Sequence, residues 1–154
     1  MSRLALLVAG AAGLTALGVA PAGAATAPQA AAATVTTTTT CGNSGLQAGL
    51  ATKVCAEITG TSVVIYGQVG LAGPPSPGGP APQPKQLITT LSADVVGGAS
   101  LGTVNQGANF TASTIRVDGV NGTVPCGSTV HATFAVATFP WSPNPVSLNV
   151  QVAC

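Results

Sequence analysis

Residues 126–154 read CGSTVHATFAVATFPWSPNPVSLNVQVAC, and their periodicity decides the fold. Val146, Leu148, Val150 and Val152 alternate with Ser147, Asn149, Gln151 and Ala153, the period-two pattern of a strand with one buried and one wet face. Upstream, Val130, Ala132, Phe134 and Val136 alternate with Thr129, His131 and Thr133 in the same way. Between the two runs lies FPWSPN, residues 139–144, so the pair forms a hairpin. With Pro140 at its centre, equidistant residues face each other: Val130 and Val150, Ala132 and Leu148, Phe134 and Val146, Cys126 and Cys154. All share one parity, which puts both cysteines on the apolar face, within reach of a cross-strand disulfide. The final residue of the chain thus pins the free end of its last strand. By elimination Cys41 pairs with Cys55, although four cysteines allow three connectivities and the others stay open. On the chain-entropy model each bridge stabilises the fold by roughly 3–4 kcal/mol.

The same character extends upstream. TSVVIYGQVGLA (61–72) and QLITTLSADVV (86–96) are β-branched runs, and ANFTASTIRV (108–117) is a weaker one. Asp118 opens DGVNGT, which reads as a turn between strands. Segment 45–58 supports two readings. Leu46, Leu50 and Val54 suit a short helix, while Leu46, Ala48, Leu50, Val54 and Ile58 suit a strand; the strand is preferred. The count is six or seven short strands, which predicts an all-β, immunoglobulin-like β-sandwich with two disulfides.

The two disulfides imply an oxidising compartment, and the N-terminus agrees. MSRLALLVAGAAGLTALGVAPAGA carries one cation, Arg3, ahead of an uncharged run, and ends on Ala22-Gly23-Ala24. Residues 1–24 read as a secretory signal peptide cleaved after Ala24, which makes the protein extracellular or wall-associated. No later stretch approaches the roughly 20 apolar residues of a membrane span. Residues 25–40 are a low-complexity Ala/Thr arm, and its threonines could join a sheet edge or carry sugars. A single β domain fills 41–154, interrupted by GPPSPGGPAPQPK (73–85), an exposed loop of polyproline II character.

Composition excludes several functions. Of four Lys/Arg and three Asp/Glu, removal of Arg3 leaves Lys53, Lys85 and Arg116 against Glu57, Asp94 and Asp118. Three scattered cations cannot neutralise a phosphate backbone, so nucleic acid is not a partner. The spacing of the cysteines and the single histidine fits no metal site, and no cofactor is implied. His131 with Asp94 or Asp118 and a serine would be needed for a triad, but no G-x-S-x-G motif is present, and His131 reads as a polar-face strand residue. Glu57, Asp94 and Asp118 could supply a glycosidase pair, yet only Tyr66, Phe110, Phe134, Phe139 and Trp141 are aromatic. The reading is therefore non-enzymatic.

What remains is recognition of an extracellular protein or carbohydrate through FPWSPNP (139–145). Pro140, Pro143 and Pro145 stiffen the turn and present Trp141 and Phe139 at low entropic cost. The alternative is a structural component of the cell exterior without a specific ligand. A protease inhibitor and a small-molecule-binding apoprotein rank below both. In size, disulfide number and all-β pattern the chain resembles the small secreted β-sandwich proteins of high-GC Gram-positive bacteria, among them the enediyne-chromophore apoproteins. That resemblance is of size and composition, and it carries no residue's role across.

Overall fold

The computed structural model describes residues 36–74, 77–80, 83–111, 113–140 and 142–154. The segment read as a signal peptide, residues 25–35 of the arm, and Trp141 lie outside the described residues. The described residues form nine strands: β1 (Thr37–Cys41), β2 (Gly45–Gln47), β3 (Leu50–Thr59), β4 (Ser62–Leu71), β5 (Lys85–Val95), β6 (Ser100–Phe110), β7 (Ile115–Thr123), β8 (Thr129–Ala137) and β9 (Val146–Gln151). Among the described residues no helix is long and apolar enough to cross a membrane, and the protein is all-β.

The strands form two antiparallel sheets. The first runs β1-β3-β4-β7, with β2 also on β3; the second runs β6-β5-β8-β9. Alternation explains the layering. Val54, Ala56 and Ile58 of β3 and Val63, Ile65 and Val69 of β4 point one way, while Leu87 and Leu91 of β5 and Val130, Phe134 and Val136 of β8 point the other. These side chains meet in one core cluster, so each sheet buries its apolar face against its counterpart.

The C-terminal hairpin has the register its alternation requires: Val130 opposite Val150, Ala132 opposite Leu148, Phe134 opposite Val146. Beyond the strand ends, Gly127 N–H donates to Val152 O and Val152 N–H to Ser128 O, which carries the pairing on to the Cys126–Cys154 bridge. That bridge lies past the core, and both its cysteines are exposed. Cys41 and Cys55 are bonded as directly opposed residues of β1 and β3, and Cys55 is fully buried. Two disulfides fit an oxidising compartment. The threonine run supplies an edge strand: Thr37–Thr40 pair with Ala56–Thr59. Segment 45–58 is strand, folded on itself as β2 and β3.

Three expectations are corrected. DGVNGT is not a turn, because residues 118–123 belong to β7. Its glycines serve close approach instead. A Cβ on Gly119 would stand 2.7 Å from Leu91 Cδ2 and 3.0 Å from Ile65 O, and one on Gly122 would stand 3.1 Å from Leu101 Cδ2. Gly119 also sits where the β4–β7 register shifts, so it marks a bulge rather than a reversal. The run 108–117 is not one strand, because residues 111–114 separate β6 from β7. Among the described residues the strands number nine because the threonine run forms β1, segment 45–58 divides into β2 and β3, and β6 comes in addition to those expected. β6 escaped notice because it is an edge strand whose inner face offers only half-buried Leu101, Val104 and Ala108 before Phe110.

The antiparallel order sorts the connections into two ends. The β2–β3 turn, the Pro-rich loop after β4, residues 111–114 and the β8–β9 connection share one end. The opposite end carries the tight β3–β4 and β5–β6 turns and the terminal disulfide.

Candidate functional site

The β8–β9 connection is built on prolines that cannot donate to a sheet ladder. Pro143 and Pro145 keep β9 from starting before Val146, so β8 runs past its partner. Gln47 completes the pairing. Its side chain is only 3% exposed; its Oε1 accepts from Val136 N–H (2.9 Å), and its Nε2 donates to Phe134 O (3.1 Å) and Thr52 Oγ1 (2.8 Å). A carboxamide of the first sheet thereby fixes the base of the connection in the second. Above that base the Phe139–Pro140 peptide is cis, Phe139 is 98% exposed, and Pro140 and Pro143 are exposed.

A cleft flanks the connection on each side. One, of about 450 Å³, lies between Leu46–Gly49 and Ser142 and Asn144. The other, of about 410 Å³, is lined by Gln86, Leu87, Ile88, Gly107, Thr138 and Phe139. Neither has a charged residue among its described lining. Among the described residues the exposed large hydrophobics are Leu46, Ile88, Val96 and Phe139, and all but Val96 lie in these clefts. Leu46 corrects its assignment to an apolar face: it is 66% exposed, while its neighbour Gln47 is buried. The three residues of β2 turn Gln47 inward because its amide has backbone partners there, an energetic reason that hydrophobic patterning does not register.

At this end the Lys85 ammonium donates to Ala48 O at the rim of the first cleft. His131, Asp94, Arg116, Glu57 and Asp118 lie on the outer faces of the sheets and are engaged with one another. On the outer face of the second sheet His131 Nδ1 lies 3.4 Å from Asp94 Oδ1 across β8 and β5. In the neighbouring row Ser92 Oγ and Thr133 Oγ1 are hydrogen-bonded to each other at 2.7 Å. On the outer face of the first sheet Arg116 forms ion pairs with both Glu57 and Asp118. Its guanidinium lies 3.5 Å above the centre of the Tyr66 ring. The hydrogen bond from Arg116 holds the Glu57 carboxyl below its ordinary range, and the two carboxylates push the guanidinium's pKa upward. Glu57 and Asp118 thus flank one cation, and Asp94 belongs to the other sheet. Among the described residues no group of three or more His, Cys, Asp or Glu is placed to hold a metal ion.

Sequence reasoning located the connection at 139–145 but missed Gln47, Leu46 and Ile88 as parts of the same end. Their signal is weak. An apolar residue beside a buried amide looks like ordinary alternation until the sheet partners are known. No family model matches the chain, and comparison with curated proteins and with solved structures finds no match.

Proposed function

We propose that this is an exported immunoglobulin-like β-sandwich that acts as a non-enzymatic recognition module, binding an extracellular partner through the end that carries Phe139. The observation behind the reading is the gathering of Leu46, Ile88 and Phe139 around one proline-stiffened connection, in a molecule whose other described large apolar residues are, Val96 apart, at least partly buried. Gln47 ties that connection to both sheets, so contact groups are held in place before binding, which lowers the entropic cost of association. The two disulfides and the leader-like N-terminus support export.

The test is capture of partners from the culture supernatant of the producing organism by the full chain, compared with Phe139→Ala and Trp141→Ala. The expected outcome is a bound component lost with either variant while the melting temperature is unchanged. Equal capture by all three proteins, or no capture from the supernatant together with no retention on any extracellular polysaccharide, sinks the reading and leaves a structural component of the cell exterior.

A further inference from the structure

The outer face of the second sheet continues from the cleft that holds Phe139 and Ile88, and its chemistry is uniform. In-register rows across the strands place Asn105 beside Thr90, then Ser92 beside Thr133 and Ser147, then His131 beside Asn149. Gly107 and Ala137 flank Ile88 at the cleft, and Ala135 stands in the row of Thr90 and Asn105, so small residues keep that part of the surface low. Cross-strand hydrogen bonds join Thr90 to Asn105 and Ser92 to Thr133. Thr90 Oγ1 donates to Asn105 Oδ1 at 2.6 Å, which orients the exposed carboxamide. Charge enters only at the far margin, where Asp94 and His131 face each other. With strands about 4.8 Å apart and about 6.7 Å between same-face residues, four strands and four rows give a platform on the order of 15 by 20 Å.

We infer that this face, together with Phe139 and Ile88, binds a neutral polysaccharide; the inference rests on the recognition reading and names the partner of that site. The cleft and the rows next to it lack charge, so neither a polyanion nor an acidic peptide has a countercharge to meet there. Amides and hydroxyls in fixed rows match a polyhydroxylated ligand, which both donates and accepts at short intervals. Phe139 projects at the edge of the platform as an apolar surface for the C–H face of a sugar ring, and the amide and hydroxyl rows extend from it for the rings that follow. The outer face of the first sheet differs in kind, because its Glu57–Arg116–Asp118 cluster carries fixed charge.

Sedimentation of the full chain with insoluble cellulose and chitin, and affinity electrophoresis in soluble polygalacturonate, test this directly. Retention on a neutral polysaccharide is expected, unchanged in about 1 M NaCl, where charge interactions are screened. Phe139→Ala and Asn105→Ala should each weaken it tenfold or more with unchanged melting temperature, and Lys53→Ala on the opposite sheet should not. Salt-sensitive binding to polygalacturonate alone overturns the inference, as does retention indifferent to both face variants. Capture of a secreted protein through Phe139, with no polysaccharide retained, overturns the polysaccharide assignment but leaves the recognition reading standing. Absence of any bound component, in this assay and in the supernatant capture, brings down both.

Discussion

Gly67 shows how tightly single residues are specified. Its missing side chain is where the Phe134 ring lies, and Phe134 is fully buried between the sheets. Gly67→Ala puts a methyl group inside that ring, so a loss of roughly 1–3 kcal/mol is expected by urea unfolding. A shift below about 0.5 kcal/mol would mean that the ring is free to move. Glu57 yields a prediction in pH. Its folded pKa lies below its ordinary 4.5 because Arg116 donates to it. Its contribution is therefore present above the unfolded value and is lost as pH falls through the folded one. Melting temperature should decline more steeply below about pH 4.5 for the wild type than for Glu57→Gln, and parallel curves would show that the pair adds nothing.

Elements carry their own devices. Ala48 and Gly49 both have positive φ, 51° and 76°, which is the pattern of a two-residue type I′ hairpin joining β2 to β3. Alanine is an unusual occupant of a left-handed position, and asparagine is a preferred one. Ala48→Asn should raise stability by about 0.5–1 kcal/mol, and a lower melting temperature would refute the turn assignment. The disulfides act on longer loops. Cys126–Cys154 closes a separation of 28 residues and Cys41–Cys55 one of 14. Loss of the first by paired Cys→Ala replacement should cost about 3.6 kcal/mol and loss of the second about 3.0 kcal/mol, as read from urea midpoints. The hairpin that the first bridge closes was legible because three apolar pairs and a cysteine pair fall at equal distances from Pro140. β6 was not legible, because an edge strand buries too little of its inner face to need regular alternation.

At the scale of the molecule, the core and the end that carries Phe139 are separable. Phe134→Ala, in the core, should cost about 3–5 kcal/mol, whereas Phe139→Ala removes a side chain that is 98% exposed and should leave the melting temperature within a degree or so. A large loss from Phe139→Ala would make that residue part of the fold and not of a contact surface. The sequence by itself pointed to the all-β class, the Cys126–Cys154 pairing and the register of the last hairpin, because period-two alternation and cysteine parity are local properties that one strand pair satisfies on its own; Cys41–Cys55 was fixed only by the pairing of β1 with β3. Tertiary structure decided the rest. DGVNGT became strand because Leu91 and Ile65 occupy the space beside Gly119, and both come from other strands, with Leu91 in the opposite sheet. Gln47 went inside and Leu46 outside because the partners of that amide are Phe134 O and Val136 N, nearly ninety residues away. The same long-range closure gathered Leu46, Ile88 and Phe139 at one end, since which apolar residues remain exposed depends on how two sheets meet and not on the pattern within any one strand.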